Sequence, residues 1–308
     1  MADEYDVLIR GGLICDGSGD APYLGDVAIQ GDSIAAVGKL ADAKAKKVIE
    51  AKGKATGKAV MIASHDRNAS IFVHRGANET IAVEELPSAA FAGFDLVYVG
   101  PLSNESADCF PHIVQTAHGA GAMVAANPGI RQLTSRTHDF LAAIEHLDLL
   151  NINRSEAEGL VPAFAPRAEG ADAHPAADGP ALLKRGLTSG GFHMGLVRFI
   201  RAVQAAGPRW VSITDGVEGS YLGTPDAVLW QPPVPAEVAG TAGAGDGFCS
   251  TLSAALAEGM EPEAAMREAA VNAASVVEHI DTTSGLLRPD EMARRIATVE
   301  LGARRVDG

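Results

Sequence analysis

The sequence predicts an α/β protein with a mostly parallel central sheet, preceded by a small β unit. From Asn78 onward, short apolar runs alternate with helical segments, and the runs are Leu96–Gly100, Ala122–Ala126 and Leu147–Ile152. Repeated strand–helix units of this size are typical of a parallel sheet covered by helices on both faces. With 308 residues, 47% of them hydrophobic, the chain has ample apolar material for such a core.

The first fifty residues predict an antiparallel β unit, because short runs rich in Val and Ile are divided by Gly/Asp turns. The runs are Val7–Arg10, Val27–Gln30, Ile34–Val37 and Val48–Ala51. Gly31-Asp32, between two of them, is a good hairpin turn. Two further strands are predicted at Ala59–Ala63 and Ser70–His74, joined by a polar turn that contains His65.

Residues Tyr5–Gly53 resemble the opening β segment of the amidohydrolase superfamily, particularly its D-aminoacylase branch. That family would next supply a His-x-His pair that grips a catalytic zinc. Here His65 stands alone, followed by Asp66, and the sequence contains neither H-x-H nor H-E-x-x-H. The resemblance therefore stops where the hydrolase chemistry should begin, and hydrolysis of N-acyl amino acids is kept only as an alternative function.

Composition excludes several classes of partner and site. The 39 acidic and 25 basic residues give a net charge of −14, which argues against nucleic-acid or membrane partners. The three widely spaced cysteines predict neither a disulfide framework nor a zinc site, and they fit a reducing cytoplasm. No run resembles a signal peptide or is long enough to span a bilayer.

The stretch VAGTAGAGDGFCSTL, Val238–Leu252, is the strongest candidate for chemistry. The small residues Gly243, Ala244 and Gly245 lead into Asp246, and an apolar helical pattern follows. A glycine turn at a helix start gathers unpaired N–H groups at the positive end of the helix dipole, where they can bind an anion. Asp246 beside them could take a proton from a hydroxyl. The alternative is an ordinary loop-to-helix junction.

Two polar clusters follow predicted strands, where ligands bind in parallel sheets. Asn153 and Glu156 come directly after Leu147–Ile152 and could hold a hydrated magnesium through its waters. The alternative is a capping box, with Asn153 as the N-cap. The second cluster, TDGVEG, follows the predicted strand Trp210–Thr214, and its alternative is a simple turn.

The remaining segments are expected to be structural. Val161–Gly191 is rich in Ala, Pro, Gly and Asp and is interpreted as a surface insertion without chemistry, carrying a short helix around Leu182–Arg185. Helices are predicted at Phe192–Ala206, Pro262–His279 and Pro289–Val299.

Taken in order, the motifs RGAN, NPG, N-R-S-E, TDGVEGSY, GTAGAGDGF and AVNAASVV…TSGLL resemble the ribokinase-like carbohydrate and nucleoside kinases. The resemblance implies a three-layer sandwich over residues 56–308, preceded by the amidohydrolase-like segment 1–55. It implies an ATP-dependent, magnesium-dependent kinase that phosphorylates a hydroxymethyl group of a sugar or nucleoside.

The resemblance also implies a role for each matching residue. Asp246 would be the catalytic base, and Gly243, Ala244 and Gly245 would form the anion hole. The residues implied for magnesium and the nucleotide are Asn153, Glu156, Thr214, Gly216, Gly219 and Asn272, the last in the adenine pocket. Phosphoryl transfer is mostly positioning and charge stabilisation, so such a set is sufficient.

Two departures from the family pattern change the expectations. Gly240 stands where the family usually has an Asp that helps to order a potassium loop, which argues against potassium activation. The family's first strand and sugar-binding segment would precede Thr56, where the hydrolase-like segment stands instead. A nucleotide-binding remnant with an incomplete acceptor site is therefore an alternative. If Gly31–Ala51 forms a separate lobe, the central sheet keeps an exposed edge that favours a homodimer.

Overall fold

The computed structural model describes residues 4–14, 21, 23–51, 55–63, 69–168 and 179–307. The chain divides into two compact units. One contains Met1–Lys58 and His74–Ala77, and the other contains Ala59–Val73 and Asn78–Gly308.

The first unit is built on a four-stranded sheet. Its strands are β1 (Glu4–Ile14), β2 (Tyr23–Gln30), β3 (Ser33–Gly38) and β4 (Lys44–Glu50), in the order β3-β2-β1-β4. The predicted hairpin is confirmed, since Gln30 pairs with Ser33 across the turn. The prediction of a purely antiparallel unit is wrong, because β4 pairs with the far side of β1, parallel to it, instead of continuing next to β3.

The predicted strand pair that follows is also present. β5 (Lys58–Ala63) and β6 (Ala69–His74) form a two-stranded sheet. The predicted turn between them, with His65, lies outside the described residues.

The remaining strands are β7 (Leu96–Val99), β8 (Met123–Ala126), β9 (Leu149–Asn153), β10 (Leu187–Ser189), β11 (Phe192–Met194), β12 (Trp210–Thr214), β13 (Ser220–Gly223), β14 (Val228–Gln231) and β15 (Arg304–Arg305). The α-helices are α1 (Phe110–Gly119), α2 (Gly129–Ser135), α3 (Thr137–Ala143), α4 (Arg154–Phe164), α5 (Ala181–Arg185), α6 (Leu196–Gln204), α7 (Ala244–Ala257), α8 (Pro262–Val277) and α9 (Pro289–Ile296).

The central sheet has seven strands in the order β15-β14-β13-β12-β9-β8-β7. β7, β8, β9 and β12 are parallel neighbours, whereas β13, β14 and β15 each pair antiparallel. β14 consequently points the same way as β12, and five of the seven strands share one direction. The sheet is mostly parallel, as predicted. Residues 31–51 pair within the first unit's sheet and not within this one, and β7 is one edge of the central sheet as the described residues form it.

Helices cover both faces of this sheet. On one face Phe110, Phe140, Leu160 and Phe199, from α1, α3, α4 and α6, pack in one buried cluster. On the other face, α7 and α8 pack in a second cluster that includes Leu252. Neighbouring residues along a strand point into different clusters, as the period of two requires. The result is a three-layer arrangement that aligns the carboxyl ends of β9 and β12.

The segment before β12 differs from its prediction. A helix was predicted over Phe192–Ala206, but residues 192–194 form β11 and the helix α6 begins only at Leu196. Gly190 and Gly191 have φ values of +56° and +79°, which allow the tight turn that pairs β10 with β11. Local turn chemistry therefore outweighs helix periodicity here. β14 and β15 were not predicted.

In the described part of the chain, no helix combines the length and apolar character needed to cross a membrane. Cys109 and Cys249 are both free and buried.

Candidate active site

Asp246 lies in the first turn of a helix that begins with a left-handed glycine. Gly243 is the N-cap of α7 with φ +84°, and its carbonyl accepts the first helical bond from Gly247 N at 2.8 Å. Helix geometry leaves the N–H groups of Ala244, Gly245 and Asp246 without an acceptor inside α7. The predicted turn thus presents three N–H donors beside one exposed carboxylate.

Gly243 is required by its backbone and by its surroundings. A Cβ at this position would lie 3.0 Å from Thr282 Cβ and 3.2 Å from Thr282 O. The positive φ also disfavours any residue with a side chain. The loop after α8 therefore packs directly on the turn that holds the N–H donors.

Tyr98 and Cys249 are two groups whose pKa values are raised by burial and by both predicted acids, Glu156 and Asp246. Burial raises the pKa of the Tyr98 hydroxyl, and the negative charges of Asp246 and Glu156 raise it further. Burial also raises the pKa of the Cys249 thiol, with additional contributions from Asp246 and Glu156. Both predicted acids therefore oppose ionisation of the Tyr98 hydroxyl and of the Cys249 thiol.

Asn153 and Glu156 form the reciprocal capping box that the sequence left as an alternative. Glu156 N donates to Asn153 Oδ1 at 3.0 Å, and Asn153 N donates to Glu156 Oε2 at 2.8 Å. Burial raises the pKa of Glu156, while hydrogen bonds from Asn153 and the backbone of Ile130 oppose that rise. The capping box fixes both side chains at the carboxyl end of β9, so the capping role and a ligand role are compatible.

The TDGVEG cluster forms a compact loop at the end of β12. Asp215 N donates to Gly219 O at 2.9 Å, and Trp230 Nε1 donates to Glu218 O at 3.0 Å. Gly216 and Gly219 have φ values of +56° and +92°. A Cβ on Gly219 would lie 2.3 Å from Gln231 O, so this position accepts only glycine.

A cavity of about 590 Å³ opens between the carboxyl ends of β9 and β12. It is lined by Ile130, Asn153, Arg154, Ser155, Glu156, Arg185, Thr214, Asp215, Gly216, Val217 and Glu218. Four residues predicted for magnesium and nucleotide therefore share one cavity. Its size is in the range typical of sites for small molecules.

The other predicted residues lie elsewhere. Gly243, Ala244, Gly245 and Asp246 are at the start of α7, and Gly219 closes the loop behind the cavity wall. Asn272 is buried and does not line this cavity. Its Nδ2 donates to Thr251 Oγ1 at 2.8 Å, and its Oδ1 accepts from Leu287 N at 3.0 Å. In this structure Asn272 joins α7, α8 and the following loop.

The structure adds three charged residues to which no role was assigned from the sequence. Asp215 contacts both Arg154 and Arg185, and all three line the cavity. Arg185 comes from the insertion Val161–Gly191, which was expected to carry no chemistry, and it lines the cavity. Arg154, inside N-R-S-E, was within the motif but was not assigned a role. No local pattern links Arg185 to Asp215, because they are separated by 30 residues.

Packing also explains why position 240 is a glycine. A Cβ there would lie 3.0 Å from His279 O and 3.3 Å from Ile280 Cα. The backbone after α8 occupies the space into which a side chain at position 240 would extend. The expectation that potassium does not activate the protein stays a prediction.

Comparison with known proteins places this site in context. Residues 193–288 match the profile of the pfkB family carbohydrate kinases. This stretch contains the Thr214–Gly219 loop, Gly243–Asp246 and Asn272, but not Asn153 or Glu156. A search of curated protein sequences finds no match to this chain.

Several solved structures are similar to the chain. A nucleoside kinase of Burkholderia thailandensis in complex with inosine is 18% identical, with a TM-score of 0.61, covering 82% of this chain and 72% of that chain. Arabidopsis thaliana ribokinase complexed with ribose and ATP is 18% identical, with a TM-score of 0.57 and coverage of 85% and 74%. A nucleoside kinase of Methanocaldococcus jannaschii, an archaeal member of the ribokinase family, is 17% identical, with a TM-score of 0.59 and coverage of 96% and 97%.

These similarities show the fold, which is ribokinase-like, with a mostly parallel central sheet and a separate small β unit. The predicted fold class is therefore confirmed. None of the comparisons shows the amidohydrolase resemblance of residues Tyr5–Gly53, which stays a prediction.

Proposed function

We propose that this chain is an ATP-dependent phosphotransferase that phosphorylates a hydroxymethyl group of a sugar or nucleoside. The observation that carries the proposal is the shared cavity, which brings Asn153, Glu156, Thr214 and Gly216 to neighbouring strand ends. The pfkB match over residues 193–288 and the ribokinase-like fold support the same reaction class. The proposed kinase unit spans residues 56–308.

Asp246 is the proposed catalytic base. It accepts the proton of the acceptor hydroxyl while that oxygen bonds the transferred phosphorus, and it later releases the proton to solvent. Its carboxylate is exposed in the first turn of α7, so an acceptor can reach it. ATP supplies the phosphoryl group when bound, and ADP departs with the electron pair of the broken P–O bond.

The start of α7 is the proposed anion hole. The N–H groups of Ala244, Gly245 and Asp246 point from the positive end of a helix of 14 residues. Fixed donors of this kind stabilise charge on phosphoryl oxygens without reorganising during the reaction. Gly243 makes the turn possible and would lose that function with any side chain.

The cavity fits the phosphates of a nucleotide and a hydrated magnesium ion. Thr214 supplies a hydroxyl, and Gly216 and Val217 of the loop that follows also line the cavity. Glu156 and Asn153 supply the carboxylate and amide that can hold magnesium through its waters. Magnesium, when bound, neutralises part of the charge on the phosphate oxygens.

The test is ADP release by the purified protein, supplied with Mg-ATP and a panel of sugars and nucleosides. Release that depends on one acceptor, with a matching phosphorylated product by mass spectrometry, supports the proposal. ATP binding by calorimetry without turnover on any acceptor would contradict it and would favour the nucleotide-binding remnant.

A further inference from the structure

Asp215 holds two arginines at the wall of the cavity, one on each carboxylate oxygen. Arg154 Nη1 lies 3.1 Å from Oδ1, and Arg185 Nη2 lies 2.6 Å from Oδ2. The Asp215 side chain is only 5% exposed, whereas the two arginine side chains are 41% and 42% exposed. The anchor is therefore buried and the two cations face solvent.

The charges in this cluster do not cancel. Two guanidinium groups share the carboxylate of Asp215, so one positive charge of this cluster is left unbalanced within it. Glu156 and Glu218 also line the cavity, whose wall therefore carries three acidic and two basic side chains. Arg154 has Glu158 as a second acidic neighbour, but their closest atoms are 4.0 Å apart. Each guanidinium has five N–H donors, so contact with one carboxylate oxygen leaves donors for another anion.

Arg185 is brought to this wall by a turn that requires glycine. It is the last residue of α5, and Gly186 follows with φ +65° and its N–H bonded to Leu182 O. A Cβ on Gly186 would lie 2.6 Å from Met194 O. His193 Nε2 lies 3.1 Å from Arg185 O. The β10–β11 hairpin thus fixes the backbone from which Arg185 reaches Asp215.

We propose that Arg154 and Arg185 bind the phosphate chain of the nucleoside triphosphate donor, with Asp215 as the residue that positions them. Planar guanidinium groups match phosphate oxygens with two parallel hydrogen bonds, and holding them in advance lowers the entropy cost of binding. The cavity that they line also holds Thr214 and Gly216, which favours the donor over a phosphorylated acceptor. The inference rests on the proposed function in taking the nucleotide as donor.

The experiment compares affinities for AMP, ADP and ATP, each with magnesium, by calorimetry on the full chain. We expect Arg185→Ala to weaken the affinities for ADP and ATP by about tenfold and the affinity for AMP by less than about twofold. The reason is that one partly exposed charged contact to the phosphate chain is lost. Arg185→Lys should recover part of that loss, since it keeps the charge but not the fork. The matched control is Arg294→Ala, which removes an exposed arginine paired with Asp290 on α9 and should change no affinity.

Asp215→Asn tests positioning, because it removes the anchor's charge while keeping its size. We expect the KM for ATP to rise by about threefold to tenfold while the KM for the acceptor stays unchanged. Arg185→Ala would overturn the inference if it lost the same factor of affinity for AMP, ADP and ATP while its thermal midpoint stayed unchanged. A rise in KM confined to a phosphorylated acceptor would overturn it too.

The outcomes separate this inference from the proposed function. If the wild type transfers the phosphoryl group but Arg185→Ala weakens the affinities for AMP, ADP and ATP equally, only the inference about the arginines is contradicted. If Arg185→Ala weakens the affinities for ADP and ATP more than that for AMP, but the protein never releases ADP, the arginine site is supported and the proposed phosphotransferase function is contradicted.

Discussion

Asn151 donates a hydrogen bond from Nδ2 to Ser253 Oγ at 3.1 Å, across 102 residues of sequence, and both side chains are buried. Asn151 lies two residues before Asn153 on β9, and Ser253 lies on α7, two helical turns after Asp246. Ser253 Oγ in turn donates to Cys249 O at 2.6 Å. This contact ties the strand that ends at the cavity to the helix that carries the proposed base.

Removing the Ser253 hydroxyl should therefore destabilise the protein. In Ser253→Ala the buried amide of Asn151 loses its acceptor, and an unsatisfied buried donor costs about 1–3 kcal/mol. Urea unfolding measures the loss. Ser250→Ala is the matched control, because Ser250 is exposed and its hydroxyl donates to backbone carbonyls of its own helix, Asp246 O at 2.7 Å and Gly247 O at 3.3 Å. A Ser253→Ala variant as stable as Ser250→Ala would show that the contact does not contribute.

Gly243→Ala should damage both stability and nucleotide chemistry. The left-handed φ of +84° costs a side chain about 1–2 kcal/mol, and Thr282 lies 3.0 Å from the added Cβ. We expect a lower thermal midpoint and at least a tenfold lower kcat, because the N–H donors of α7 shift. Gly119→Ala is the control, since it ends α1 and its added Cβ meets nothing within 4 Å. Wild-type turnover in Gly243→Ala would contradict the anion-hole role.

The ion pair between Glu278 and Arg295 should make stability depend on pH. Arg295 donates to both carboxylate oxygens, at 2.8 and 2.6 Å, and holds the pKa of Glu278 below its ordinary value of 4.5. A lowered pKa in the folded state adds stability above the unfolded value, and that stability is lost as pH falls through the folded value.

Arg295→Ala should therefore lower the free energy of unfolding, measured in urea, by about 0.5–1 kcal/mol at about pH 7. The difference from wild type should shrink at about pH 3. Arg294→Ala, which removes the more exposed pair with Asp290, should lose less at both pH values. A difference between wild type and Arg295→Ala that stays constant with pH would contradict this account.

Much of the fold could be predicted because buried strands ended by polar residues are a local pattern. The runs Leu147–Ile152 and Trp210–Thr214 each predicted a strand with polar residues at its carboxyl end, and the glycines after Thr214 predicted the loop. The helix behind Asp246 followed from apolar spacing alone. At Asn153 and Glu156 the sequence left two roles open, and the structure shows one of them, the capping box.

The rest depends on contacts that join distant segments. Arg185 reaches Asp215 only because Gly186 and the β10–β11 hairpin fix the end of α5, and composition described that segment merely as an insertion. The parallel pairing of β4 with β1 likewise depends on which side of β1 the chain passes, which turn residues do not determine. Asn272 lies in the predicted helix, but its partners Thr251 and Leu287 are visible only in the packed structure.

The central claim is that Asp246 is the base of a phosphotransferase. The most direct test is to measure the turnover of Asp246→Asn with the acceptor that the wild type phosphorylates. We predict a kcat lower by roughly a hundredfold to ten-thousandfold, with ATP affinity by calorimetry within about twofold of wild type. Asp290→Asn, at an exposed carboxylate on α9, should leave kcat unchanged. An Asp246→Asn variant that keeps more than about a tenth of the wild-type kcat would contradict the account.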